Sequence, residues 1–131
     1  MKRFLLDTNI WIGLARGEKP LRERLSRLNP TQVFCCSVVR AELLFGARKS
    51  LRVDQNLMGF ESLLNPFESP FFDDKAAAHY GLIRAYLERA GTPIGANDLL
   101  VASIAISRDL VLVTRNTREF ARVPGLRTEE W

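Results

Sequence analysis

A chain of 131 residues that is 47% apolar has the size and composition of one compact domain, residues 1–131. Such a length buries roughly two-thirds of its unfolded surface and needs no disulfide to fold. Its net charge of +4 comes from 19 basic against 15 acidic residues, and 15 of the basic ones are arginine, whose planar fork suits phosphate. No run of about 18 apolar residues is present, and the N-terminus lacks the basic region, apolar core and cleavage site of a signal peptide. These features exclude a membrane-spanning helix and predict a soluble, cytoplasmic protein.

In chain order, Phe4-Leu5-Leu6 with Arg3 predicts a short strand without alternation, as expected when both faces are covered. Thr8 to Arg16 reads as a short helix ended by Gly17 and Pro20, and Pro20 to Leu28 as a second one stopped by Asn29-Pro30. The second strand is Thr31 to Cys36. Neighbouring Cys35 and Cys36 point to opposite faces of that strand, so a bridge between them would be strained and two reduced, buried thiols are expected. Ser37 predicts the cap of a helix running to about Lys49, and a further helix starts around Arg52, carries Glu61 near its end and breaks at Asn65-Pro66. "FESPFF", residues 67–72, is a weak third strand whose proline places it at a sheet edge.

Asp73 or Asp74 caps a long helix with apolar positions Ala76, Tyr80, Ile83, Leu87 and Ala90, ended by Gly91 and Pro93. Asn97 caps "DLLVASIAIS", residues 98–107, a helix too apolar all round to lie on the surface. Residues 110–114, "LVLVT", form a strong central strand, followed by a short helix from Thr117 to Arg122 and a last strand in "LRTEEW". Alternating strands and helices predict an α/β fold: a three-layer α/β/α sandwich around a mainly parallel, twisted sheet.

Four carboxylates stand where a packed core would not want them. Asp7 ends the first strand; it either caps the next helix or is held there for chemistry. Glu42 shares a helical arc with Val38, Val39, Leu43, Phe45 and Gly46, so it needs either a buried arginine partner or a cation. Asp98, beside the Asn97 cap, suits the helix dipole and needs no further role taken alone. Glu119 lies one turn beyond Thr114-Arg115-Asn116, at the end of the central strand. In open parallel sheets functional crevices lie at the carboxyl ends of strands. Clustered there, four acids would raise one another's pKa unless a cation were present, and oxygen-only ligands suit Mg²⁺ or Mn²⁺. Carboxylate-bound ions of this kind activate water for phosphodiester hydrolysis. His79 is the only histidine, which excludes a ribonuclease built on two histidines, and neither a Gly-x-Ser-x-Gly elbow nor a nucleotide-binding P-loop occurs.

The four segments "FLLDTNIWI", "CSVVRAELLFGARKS", "GTPIGANDLLVASIA" and "LVLVTRNTREFARVPGLRTEEW", in this order, resemble the PIN-domain family, and within it the VapC-type toxins of bacterial toxin–antitoxin pairs. The resemblance runs from about residue 3 to residue 131. It implies a Mg²⁺- or Mn²⁺-dependent endoribonuclease whose acidic site falls on Asp7, Glu42, Asp98 and a fourth acid, with Thr8, Asn9, Thr114 and Asn116 orienting that shell. Many members carry an aspartate where this chain has Asn116; Glu119 is then the nearest acid for the fourth position. The resemblance further implies an RNA substrate cut in a loop, often of a tRNA near the anticodon, a small antitoxin that blocks the site, and a homodimer. Arg115 and Arg118 are candidate phosphate contacts, and Leu44, between Arg40 and Arg48, a candidate partner contact. Two rival readings are a non-catalytic RNA-binding module and an aspartyl-nucleophile phosphatase. The second requires an aspartate two residues after Asp7, where Asn9 stands.

Overall fold

The computed structural model describes residues 1–131. Four short parallel strands are ordered β2-β1-β3-β4: β1 at Phe4–Leu6, β2 at Val33–Phe34, β3 at Val111–Val113 and β4 at Thr128–Glu129. Phe4 registers with Val33 on one side and Val111 on the other, and Leu112 with Thr128. Every residue of β1 and β3 is buried, because helices cover both faces of the sheet as three α/β/α layers. The chain runs from β1 to β2 on one side and then crosses over to β3 on the other side of β1. Such a reversal leaves a crevice at the carboxyl ends of the two strands.

The helices are α1 at Thr8–Ala15, α2 at Lys19–Ser26, α3 at Ser37–Arg48, α4 at Val53–Leu64, α5 at Asp74–Ala90, α6 at Ala96–Ser107 and α7 at Thr117–Phe120. α5 packs on α6, and α1 on α2, α3 and α4. A cluster of 28 buried apolar residues joins the layers. Within it the Trp11 indole N–H donates to the Leu6 carbonyl at 3.0 Å, so the largest buried side chain leaves no polar atom unpaired. α6 is buried at Val101 to Ala105, as its composition predicts. None of the helices is long and apolar enough to cross a membrane.

The structure differs from the sequence expectations at several places. Ser37 is the first residue of α3 and Cys36 its N-cap; the Ser37 amide donates instead to the Pro70 carbonyl at 2.9 Å. α6 begins at Ala96 with Gly95 as its cap, so Asn97 lies inside the first turn. "FESPFF" contributes a single parallel bridge from Glu68 to Phe34 at the sheet edge, since Pro70 has no amide to extend a ladder. On α3 the buried stripe is Val39, Leu43 and Ala47; Phe45 is 65% exposed, and Glu42 flanks the stripe half-buried. Phe45 lies two residues, about 200°, from Leu43, which turns it to the outer face.

Candidate active site

Asp7 follows the last residue of β1, and its own amide donates to the Val113 carbonyl of β3 at 2.9 Å. It caps α1 from an extended conformation while only 8% exposed. Thr8 N–H donates to its Oδ1 at 2.9 Å, and the buried Thr114 hydroxyl donates to its Oδ2 at 2.8 Å. Thr114 directly follows β3 as Asp7 follows β1, so the register of the two neighbouring strands, Leu6 beside Val113, fixes this pair. The Thr8 hydroxyl donates in turn to Glu42 Oε1 at 2.9 Å, tying α3 to the same corner.

On the other side of Asp7, Thr114 Oγ1 accepts from the Asn116 amide at 3.0 Å, so its single donor and one of its two acceptor lone pairs are used. Asn116 Nδ2 donates to Glu119 Oε2 at 2.8 Å, and the Gly95 amide donates to Glu119 Oε1 at 3.0 Å. A Cβ built on Gly95 would stand 3.6 Å from Asp98 Oδ2 and 4.0 Å from Glu119 Oε1, so both carboxylates flank that residue. The result is one hydrogen-bonded line, Glu42–Thr8–Asp7–Thr114–Asn116–Glu119–Gly95, with Asp98 beside its far end. Asn9 is exposed and stands outside the line. Sequence reading passed over Gly95, whose only local signal is a glycine directly before a helix that has no capping side chain.

Electrostatics show that the acids converge. Burial first, and then the charges of Asp7, Glu119 and Glu42, together push the Asp98 carboxyl up to about 6 from its ordinary 3.8. Nothing cationic lowers it. Asn116 first, and then Gly95, hold the Glu119 carboxyl below the usual range by hydrogen bonding to its charged form. None of the four acids forms a salt bridge; the arginines that do pair with acids meet Glu129, Glu88, Glu68, Glu18 and Asp109. Arg115, next to Thr114, is engaged with Glu18 at 2.6 Å, and Arg118 is exposed. That Glu18 contact is a second feature the sequence did not announce.

No three of these side chains enclose a point of ionic size by themselves. The donor set nonetheless fits a hard divalent ion, which keeps several waters and takes only one or two carboxylates directly. The neutral donors around Asp7, Glu42 and Glu119 orient oxygens without cancelling their charge. The fit therefore rests on charge as well as on donor type.

The PIN domain family matches residues 4–126. The chain belongs to the PIN-domain family. Over 132 residues it is 43% identical to the tRNA(fMet)-specific endonuclease VapC of Salmonella typhimurium, covering 100% of this chain and 99% of that protein. It is 42% identical over 133 residues to ribonuclease VapC2 of Haemophilus influenzae, with the same coverage. Among solved structures it is similar to the DNA-bound VapBC of Salmonella typhimurium, with a TM-score of 0.94 at 43% identity over 100% of this chain and 99% of the other. In this PIN domain the acidic line described above lies at the carboxyl ends of β1 and β3.

Proposed function

We infer that this single PIN domain, residues 1–131, is a VapC-type toxin: an endoribonuclease that hydrolyses RNA phosphodiesters with Mg²⁺ or Mn²⁺ in the cytoplasm. The observation that carries the reading is the gathering of Asp7, Glu42, Asp98 and Glu119 at the carboxyl ends of β1 and β3 with none of them in a salt bridge, in a chain with 15 arginines; only Arg122 acts on the group, from a distance and on Glu119. Glu42 in particular had two explanations open, a buried ion pair or a cation site, and no ion pair forms. An arginine-rich protein that leaves its crevice anionic has kept that charge for a cation.

Asp7, Glu42 and Asp98 would hold the ion, with Glu119 at the margin of the same cluster; when bound, a divalent ion lowers the pKa of water and stabilises charge on phosphate oxygens. Thr8 and Thr114 fix both oxygens of Asp7, so its carboxylate cannot rotate away from the crevice. Arg115 and Arg118 stand at the rim to receive RNA phosphates, Arg115 in exchange for Glu18. The relatives named for tRNA(fMet) support a tRNA substrate; the anticodon loop is the proposed place of the cut, because unstacked bases there splay into a cleft. The VapBC assembly supports a cognate antitoxin partner; in this reading the antitoxin is small and blocks the crevice, and the toxin is a homodimer.

The test is sequencing of RNA 5′ ends after brief expression of the wild type and of Asp7→Ala, followed by cleavage of purified tRNA with EDTA, Mg²⁺ or Mn²⁺. Discrete cuts that need both Asp7 and the metal are expected. Salt-sensitive RNA binding without metal-dependent cutting would favour the non-catalytic RNA-binding reading instead.

A further inference from the structure

Glu119 differs from the other acids of the crevice in how its oxygens are used. Oε1 accepts the amide of Gly95, and Oε2 accepts the carboxamide of Asn116. Gly95 is the N-cap of α6 and has no side chain to satisfy that helix end. In a capping box, the residue three positions into the helix reaches back to the N-cap amide. In α6 that residue is Asp98. Its carboxylate lies next to Gly95 but makes no hydrogen bond there, because Glu119, 24 residues further along, already occupies the amide.

We propose that Glu119, aimed by Asn116, is a positioning residue rather than a direct ligand: it takes the Gly95 amide, anchors the start of α6 and thereby leaves the Asp98 carboxylate free to face the crevice. This rests on the metal-dependent reading given above. Asn116 is then the matched partner, since its Nδ2 donates where an aspartate would set a like charge 2.8 Å from Glu119. The chain Asp7–Thr114–Asn116–Glu119–Gly95 makes one scaffold out of the ends of β1, β3 and α7 and the beginning of α6. The spacing between Asp7 and Asp98 is thus set by hydrogen bonds rather than by the ion.

The test uses the full chain and the variants Glu119→Ala and Glu119→Gln, read by hydrogen exchange of the Gly95 amide in EDTA and by Mn²⁺ titration. Glutamine keeps an oxygen for Gly95 and offers its amide to the Asn116 oxygen after a carboxamide turn, whereas alanine removes both bonds. The expected result is that Glu119→Ala speeds Gly95 exchange and weakens Mn²⁺ binding by about tenfold each, the size set by the lost charge-assisted bond to the Gly95 amide. Glu119→Gln should stay within about threefold of wild type in both. A Glu119→Gln protein that protects Gly95 yet loses Mn²⁺ affinity as fully as Glu119→Ala overturns the proposal, because the carboxylate charge would then be the ligand. Unchanged Gly95 exchange in Glu119→Ala overturns it as well. If wild type binds no Mn²⁺, the metal reading fails, and the exchange measurement alone still decides whether Glu119 holds α6.

Discussion

Replacing Asp98 with asparagine should abolish RNA cleavage while stabilising the metal-free fold. Burial, and then Asp7, Glu119 and Glu42, push this carboxyl from 3.8 up to about 6. An acid whose pKa is raised by folding binds protons more tightly in the native state, so it costs stability as pH rises. The cost is absent below 3.8, grows between 3.8 and about 6, and is complete above that. At about 1.4 kcal/mol per pH unit the whole displacement would amount to about 3 kcal/mol. Asp98 is only half-buried, and solvent screening reduces this to about 1 kcal/mol. Asparagine has nearly the same shape and no charge to confine. Near pH 7 in EDTA its Tm should therefore exceed that of wild type by roughly 3–5 °C, and the gain should shrink as pH falls from about 6 towards 3.8. Added Mn²⁺ should raise the wild-type Tm and leave Asp98→Asn almost unmoved, since only a species that binds the native state shifts the equilibrium. Thermal melts across pH, with and without metal, read all of this. A variant no more stable than wild type near pH 7, or one whose gain persists unchanged in acid, would refute the electrostatic account of the crevice.

Thr114→Val should cost about 1–3 kcal/mol in urea melts and depress cleavage, because it strips Asp7 of a donor and leaves the Asn116 amide without its acceptor. In Gly13→Ala the new Cβ would meet Leu21 Cδ1 at 2.5 Å and overlap the Glu18 carboxylate, so a loss of about 1–3 kcal/mol is expected despite alanine's better helix propensity; a rise in Tm would contradict this packing. Burial pushes the thiols of Cys35 and Cys36 up to about 12 and about 11, so the native protein should resist iodoacetamide near pH 8 and react only once unfolded in urea. Arg115→Ala breaks an exposed pair with Glu18 and should change stability by less than about 1 kcal/mol, yet lower the salt dependence of RNA binding by about one counterion. An unaltered salt slope would remove Arg115 from the RNA surface.

Legibility in the sequence followed how local the determining forces are. β1 and β3 were readable because parallel strands buried on both faces must be continuously apolar, and residues 4–6 and 111–113 are. α5 was readable at both ends: the Asp73 carboxylate accepts the Ala76 amide, and Gly91 closes the helix at a φ of +71°. The starts of α3 and α6 were misplaced because distant partners satisfy them. Pro70 accepts the Ser37 amide, and Glu119 accepts that of Gly95. A cap search along the chain looks only a few residues ahead and cannot see either. Phe45 misled in another way, since an apolar residue can stand on the surface, and counting it drew the buried stripe of α3 too wide around Glu42. The carboxylates themselves were conspicuous against an apolar background, but the bonds that orient them depend on sheet register.

Glu129 provides an internal contrast that sharpens the reading of the crevice. It too is a carboxylate near the end of a strand, β4, and its pKa is lowered. There the leading cause is the hydrogen bond from Lys2, at 2.9 Å, and Arg24 joins at 3.2 Å, so charge is met by charge. The crevice acids receive five neutral donors: the Thr8 and Gly95 amides, the Thr8 and Thr114 hydroxyls, and the Asn116 carboxamide. Neutral donors thus hold Asp7, Glu119 and one oxygen of Glu42 and leave Asp98 without a bond, so the two arrangements differ in the net charge left behind. A carboxylate that merely fastens a strand end gains from a cation of its own chain, as Glu129 does. Fixing several carboxylates by neutral dipoles instead preserves mutual repulsion, which adds to burial in raising Asp98. A cation from solution would relieve that cost, which is what the proposed metal-dependent reading requires.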